Sequence, residues 1–352
     1  MDNKISDICV RAISRHVFPG CVVGYIRGGR ITVLPYGHLT YESGSDAVRA
    51  NTVYDVASIS KSVPTSSIVL KLAEEGKLSL DGKVSDYIPE LENQYLDRIL
   101  IRHLLTYSVI FNTGTSLTEV ALKSPDRIME SIFTAPLLAP PGTKHMYTDA
   151  PAILMGLIAE RICNRSLGDI AQAMFFSPLQ MNRTTYDPKM LNESEVAPTE
   201  LDWRGEVRAI PQDEKAWVLR AQGQTPGHAG LFSTGKDLLT FSSMLLNHGI
   251  WHRKTYFKEE TVKWMHTNQN SSVGEAESLG WQMQRARWMG EHISSEAFGR
   301  TGYPGTSILI DPHKQIALVH LSNHTYPSRP TERAVAINAV RRELADTVFG
   351  QE

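Results

Sequence analysis

Cysteine is scarce: Cys9, Cys21 and Cys163 are the only three in 352 residues, an odd number with no metal-ligand spacing. That excludes a disulfide-stapled scaffold and a cysteine-built zinc site, so buried free thiols are expected. Long hydrophobic runs are also missing. No apolar stretch approaches the roughly 20 residues that a membrane span requires, which excludes a transmembrane helix. Neither sign of charge dominates, since 36 Lys and Arg oppose 38 Asp and Glu for a formal net charge of −2 with no basic block. Nucleic acid and anionic membrane are therefore disfavoured, and a small-molecule or peptide substrate is the expected partner. The start, Met1-Asp2-Asn3-Lys4-Ile5, lacks an apolar leader with a small-residue cleavage site. As written the chain reads as cytoplasmic, with export after removal of a signal as the alternative. No G-x-S-x-G elbow occurs, which disfavours an α/β-hydrolase.

What is present is ordinary globular usage, with 41% apolar and 21% charged residues, enough for a large core in one or two parts. Ile5, Ile8, Ala12 and Ile13 repeat at helical spacing and the pattern stops at Pro19-Gly20, so the chain opens with an amphipathic helix. Two β-rich runs, Cys21 to Ile26 and Ile31 to Leu34, flank Arg27-Gly28-Gly29-Arg30, a Gly pair suited to a tight hairpin. From Ser58 the texture becomes helical, with periodic stretches at 60–77, 101–105, 150–162 and 236–246. β patterning returns at 307–310 and 315–321, followed by a last helix with Ile337, Val340, Leu344 and Val348 on one stripe. Strands at both ends and helices between predict an α+β fold. The division expected is a sheet domain from 1–57 and 290–352, a mainly helical domain over 58–289, and an active site between them.

Chemistry enters at Ser58-Ile59-Ser60-Lys61, directly after the strand-like run Val53 to Val56. Residues three apart on a helix share a face, and a serine hydroxyl needs an adjacent proton acceptor to become a nucleophile. The spacing is weak by itself, because about one S-x-x-K is expected by chance in a chain this long. A second copy does occur, Ser233-Thr234-Gly235-Lys236, one residue short of a phosphate-binding loop. Asp237 stands where such a loop needs Ser or Thr, so Ser233 or Thr234 reads as the cap of the next helix, and a nucleotide-binding protein is the lesser rival. His248 and His252 have i,i+4 spacing but no third ligand nearby, so no metal or cofactor is expected. His228 reads as a loop histidine.

Two further fragments accompany Ser58. Tyr147-Thr148-Asp149 leads into a helix, and Arg300-Thr301-Gly302 precedes the second β region. Taken singly, Tyr147 is a half-buried aromatic, Asp149 a helix cap and Arg300 a strand-end charge. In this order with Ser58 and Lys61 they resemble the three signature elements of the serine β-lactamase and penicillin-binding superfamily. Further segments, including 74–81, 102–106, 230–234 and Leu279-Gly280-Trp281, are similar to the branch holding class C β-lactamases, D-amino-acid peptidases and family VIII carboxylesterases.

The resemblance implies an antiparallel sheet with flanking terminal helices, an inserted all-helical lobe, and a metal-independent hydrolase working through an acyl-enzyme. Ser58 would attack, Lys61 would take its proton, Tyr147 would relay a proton to the leaving group, and Asp149 would meet the substrate. Arg300, with Thr301 and Gly302 beside it, would hold an anionic part of the substrate. The backbone N–H groups of Ser58 and Tyr303 would hold the oxyanion. Lys61 must be substantially neutral to act as base, and Arg300 is the expected source of a lowered pKa. Asp149 stands where the family more often has Asn, and Arg300 where it more often has Lys or His. An ionised Asp only accepts hydrogen bonds and favours a charged Lys61, so carboxylic esters and small D-amino-acid peptides or amides are expected ahead of β-lactams. A catalytically silent binder of peptide or cell-wall fragments is the alternative. Oligomeric state is not legible.

Overall fold

The computed structural model describes residues 1–92, 95–330 and 333–350. Its centre is a six-stranded antiparallel sheet assembled from both ends of the chain. β1 (Gly20–Arg27) and β2 (Arg30–Gly37) form the early hairpin; β3 (Gln282–Met283), β4 (Phe298–Thr301), β5 (Ser307–Asp311) and β6 (Ile316–Ser322) complete the order β2-β1-β6-β5-β4-β3. β1 and β6 join the two ends, with Val22 opposite Leu321 and Val23 opposite His320. Gly28 and Gly29 turn the hairpin at φ 57° and 72°, a region that glycine enters without a Cβ clash.

Because side chains alternate along a strand, the sheet buries two different faces. Cys21, Val23, Tyr25, Leu309 and Leu318 pack with Ile5, Ile8 and Cys9 of α1 (Asp2–Ser14) and with Ile337, Leu344 and Val348 of α6 (Arg333–Phe349). Val22, Ile26, Ile308, Ile310, Val319 and Leu321 face the larger core, which includes Leu238 and Leu239 of α5 (Gly235–Leu246). Thr234 caps α5, its side chain accepting the N–H of Asp237, so the second S-x-x-K is a helix start. Cys9 and Cys21 are buried, whereas Cys163 is half-exposed.

The segment between the sheet strands supplies α2 (Ser67–Glu74), α3 (Ala150–Cys163) and α4 (Glu214–Ala221). α3 is apolar nearly all round, with nine residues from Ala150 to Ala159 buried, as expected of a core helix. Among the described residues no helix is long and apolar enough to cross a membrane. β4 outlasts its neighbour: β3 pairs with Phe298 and Gly299 alone, which leaves Arg300 and Thr301 at an edge beside the turn that carries Ser58. Leu344, fully buried against the sheet, tests how firmly the terminal helices hold it. Leu344→Ala is expected to cost about 2–5 kcal/mol, read as a lower urea midpoint with an unchanged m-value.

Candidate active site

Ser58 does not sit on a long helix. Tyr54 and Asp55 pair with Ser233 and Phe232, and Val56 donates its N–H to the carbonyl of Leu231, so the chain reaches Ser58 from a buried strand pair. Residues 57–61 then form one 3-10 turn. The helix predicted over 60–77 is interrupted: Val63 is extended (φ −115°, ψ 102°), the Val63–Pro64 peptide is cis, and α2 begins only at Ser67. Proline removes an N–H and pushes its predecessor out of the helical region, which accounts for the break. Ala57 is held at φ 44°, a left-handed conformation costly for a residue with a Cβ. Its N–H donates to Asp55 Oδ1 at 2.8 Å, and the other oxygen of Asp55 accepts the N–H of Gln212 at 2.8 Å.

The turn still brings the pair together, with Lys61 Nζ 2.8 Å from Ser58 Oγ. The ammonium also donates to the carbonyl of His228 at 2.9 Å and meets Asp149 Oδ1 at 2.8 Å, so its three N–H bonds are all engaged. Asp149 occupies the N-cap position of α3, yet its side chain makes no capping hydrogen bond. It is turned into the site, where Oδ2 faces Lys215 Nζ at 3.3 Å. Lys215 reaches Asp213 Oδ2 at 2.8 Å, and Asp213 Oδ1 meets His228 Nε2 at 3.0 Å. Lys61, Asp149, Lys215, Asp213 and His228 thus close a ring of alternating polar partners, returning to Lys61 through the backbone oxygen of His228.

This ring corrects the expected neutrality of Lys61. Burial, the largest single influence, pulls its pKa down, but Asp149 with Tyr147 and Tyr107 outweighs burial and holds it above the ordinary lysine range. For Asp149 the balance is the mirror image. Burial pushes it up, while Lys61, His228 and Lys215 together bring it below the ordinary carboxylate range.

Arg300 is placed differently from the expectation as well. Its guanidinium is fully buried and is absent from the cavity wall. Nε donates to Ser62 Oγ at 3.0 Å and Nη2 to the carbonyl of Gly280 at 2.8 Å, with Glu277 at 3.8 Å. Its carbon lies 5.2 Å from the ring centre of Tyr107 and 5.4 Å from that of Tyr147. The tyrosine rings pack 5.0 Å apart, and Lys61 Nζ lies 5.2 Å from the Tyr147 centre. Arg300 therefore lies behind Tyr147, away from the cavity wall.

A cavity of about 280 Å³ opens over Ser58, lined by Ala57, Tyr147, Asp149, Lys215, Tyr303 and Arg329 among others. Tyr303 shares this cavity wall with Ser58, and Thr301 and Gly302 form its approach. A Cβ at Gly302 would lie 2.1 Å from Thr306 Oγ1 and 2.4 Å from the carbonyl oxygen of Val56, so only glycine lets β4 approach the Ser58 turn this closely. Arg329, from the segment after β6, grips both oxygens of Glu200 at 2.7 Å and also meets Glu214 at 2.6 Å. Asp149, Asp213 and His228 present ligand-type atoms within 4.8 Å of one another, but Lys61 and Lys215 already neutralise the two carboxylates there.

Asp213, Lys215, Tyr107, Glu277 and Arg329 were not anticipated from the sequence. Asp213 is legible only as the cap of α4, since its Oδ1 accepts the N–H of Ala216 at 2.9 Å. Nothing in Gln212-Asp213-Glu214-Lys215 marks a partner at 149. His228 does lie on a loop, but its ring is buried in the ring of charges.

Comparison with known proteins bears on the whole chain. The family model described as Beta-lactamase matches residues 7–341. An N-acetylmuramyl-L-alanine amidase of Bacillus subtilis strain 168 is 29% identical over 90% of this chain and 80% of its own. A protein of Escherichia coli strain K12, provisionally named D-alanyl-D-alanine carboxypeptidase, is 31% identical over 77% of this chain and 69% of its own. Among solved structures, EstCE1, a hydrolase with promiscuous acyltransferase activity, superposes with a TM-score of 0.76 at 19% identity, covering 97% of this chain and 98% of that one. An octameric penicillin-binding protein homologue from Pyrococcus abyssi superposes at 0.71 with 21% identity, covering 99% and 79%. At those identities the two structures speak for the fold alone.

Asp55, which braces the Ser58 turn, yields a pH test. Burial pushes its pKa up to about 6, against the N–H bonds from Gln212 and Ala57. Since this folded pKa exceeds the unfolded value, the folded state binds the proton more tightly, and stability falls as pH rises through the interval between them. Relative to Asp55→Asn, the wild type is expected to gain about 2 kcal/mol on going from pH 7 to pH 4.5, measured by urea unfolding of both proteins. A pH-independent difference would show that Asp55 does not titrate there.

Proposed function

The chain belongs to the β-lactamase family, and from that premise we propose that Ser58 is the acylated nucleophile of a serine hydrolase acting on carboxylic esters and small D-amino-acid peptides or amides. The protein is a metal-independent serine hydrolase of that family. The observation that carries the assignment of Ser58 is its hydroxyl 2.8 Å from Lys61 Nζ on the wall of the cavity. In the resting arrangement Lys61 is an ammonium. The reactive form is the one from which that proton has left, so that the free amine accepts the Ser58 proton as Oγ bonds to the substrate carbonyl carbon. Negative charge on the carbonyl oxygen is received by the backbone N–H groups of Ser58 and Tyr303. Tyr147, whose ring lies beside both Lys61 and Arg300, passes the proton on to the leaving group as its bond to the acyl carbon breaks. Water then releases the acyl group from Ser58 with the same groups in reverse roles. We assign Arg300 to positioning Tyr147.

Substrate preference follows from Asp149. As a carboxylate held by two ammoniums it donates nothing to a substrate amide oxygen, which supports esters and small amides ahead of β-lactams. The relatives named for amidase and carboxypeptidase chemistry support the amide side of the reading.

Hydrolysis of a p-nitrophenyl ester, a D-alanyl peptide and a chromogenic cephalosporin tests it. Ser58→Ala is expected to lower kcat by about 10³-fold or more, and a fluorophosphonate is expected to label Ser58 of the folded wild type. A folded protein left unlabelled would instead indicate a silent binder. Asp149→Asn is expected to raise turnover of the two amide-bearing substrates relative to the ester. It is also expected to move the rising limb of kcat/KM to lower pH, because Lys61 loses the charge that holds its proton. Unchanged ratios would refute the role given to Asp149.

A further inference from the structure

The ring around Lys61 contains a second lysine that the proposed reaction does not use. Lys215 is buried; it donates to Asp213 Oδ2 at 2.8 Å and to Thr118 Oγ1 at 3.1 Å, and it forms an ion pair with Asp149 Oδ2 at 3.3 Å. What it does is share a carboxylate with the candidate base: one oxygen of Asp149 faces Lys61, the other faces Lys215.

We propose that Lys215 is a positioning residue that regulates the base: by competing for Asp149, and as a second positive charge beside Lys61, it loosens the carboxylate's hold on the Lys61 proton, while Asp213 limits that pull. The proposal rests on reading Ser58 and Lys61 as nucleophile and base. The groups facing Lys61 are Ser58 on its own turn, Asp149 at the start of α3, Tyr147 and Tyr107 behind, and the carbonyl of His228. Behind Asp149 stand Lys215 and then Asp213, the latter also held by His228 Nε2. Two ammoniums on one carboxylate repel each other, so each weakens proton binding at the other; Lys61 is one of the influences that lowers Lys215. Asp213 works the other way. It engages Lys215 at a shorter distance than Asp149 does, so with Asp213 present Lys215 is drawn away and Asp149 leans on Lys61.

Opposite signs follow for two substitutions on adjoining positions of one network. Lys215→Met leaves Asp149 to Lys61 alone, which moves the rising limb of kcat/KM against pH upward by about one unit. On that limb the variant is roughly tenfold slower at a fixed pH. Asp213→Asn preserves the cap of α4 and frees Lys215 for Asp149, which moves the limb downward and makes the variant faster than wild type on it. Lys215→Arg keeps the charge and restores the wild-type limb. The measurement is blank-corrected p-nitrophenyl acetate hydrolysis from pH 7 to 12, so that the plateau is recorded as well as the limb, by the full chain and these three variants, with thermal melts across that range to establish folding. A loss by a pH-independent factor with the limb in place, or a limb that moves upward in Asp213→Asn, overturns the proposal. Should Lys215→Met fail to fold, the sign of the Asp213→Asn shift decides alone, since damage to the fold does not accelerate turnover. Ser58→Ala separates the two levels. If it hydrolyses the ester like wild type, the nucleophile assignment itself fails; if it is inactive and the limbs stay in place, only the role of Lys215 fails.

Discussion

A buried ammonium is the constraint around which this site is arranged. Lys61 has almost no solvent contact, and a charge in that position persists only if opposite charge and hydrogen-bond acceptors surround it. Each acceptor arrives from a different stretch of the chain. Ser58 comes from the same turn, Asp149 from the head of α3, and the His228 oxygen from the loop before α5. Satisfying one nitrogen thereby fixes three pieces of backbone relative to one another. Asp149 forgoes capping its own helix to take part, and Lys215 and Asp213 balance the charge that remains.

The same logic separates two layers of cation. Lys61 and Lys215 neutralise the carboxylates at the cavity wall, whereas Arg300 lies a layer deeper, compensated by Glu277 and covered by Tyr107 and Tyr147. Burial lowers the proton affinity of Arg300, yet Tyr107, Glu277 and Tyr147 raise it above the ordinary range, so it is a permanent charge. Tyr147 lies between these layers with a cation on either side.

Much of this architecture was legible in the chain because it rests on local pattern. The stripe at Ile5, Ile8 and Ala12, the Gly28-Gly29 hairpin and the stripe at Ile337, Val340, Leu344 and Val348 each state their periodicity within a few residues. The grouping of Ser58, Lys61, Tyr147, Asp149 and the Arg300 segment was legible as an ordered set. What was not legible depends on distance. The break at Val63 is signalled in the sequence only by Pro64, which disfavours a helical residue before it without specifying where the helix resumes. The burial of Arg300 comes from Ser62 and Gly280, far from it in sequence, and a cation's depth leaves no trace in its neighbours. Nothing in the sequence distinguishes Asp213 and Lys215 from the start of a surface helix, because a helix cap and a buried ion pair use the same residue types.

Ala57 shows where such a protein can change. Its left-handed backbone, just before Ser58, is clamped by Asp55 below and by the Val56 link to Leu231. The turn that carries the Ser58 hydroxyl is therefore mortised to the core. Much of the wall facing it, at Gln212 to Lys215, Tyr303 and Arg329, stands on helix starts and connecting segments. Divergence, natural or by design, can recut those surfaces to admit a different acyl or leaving group while the joinery that presents the hydroxyl stays as it is.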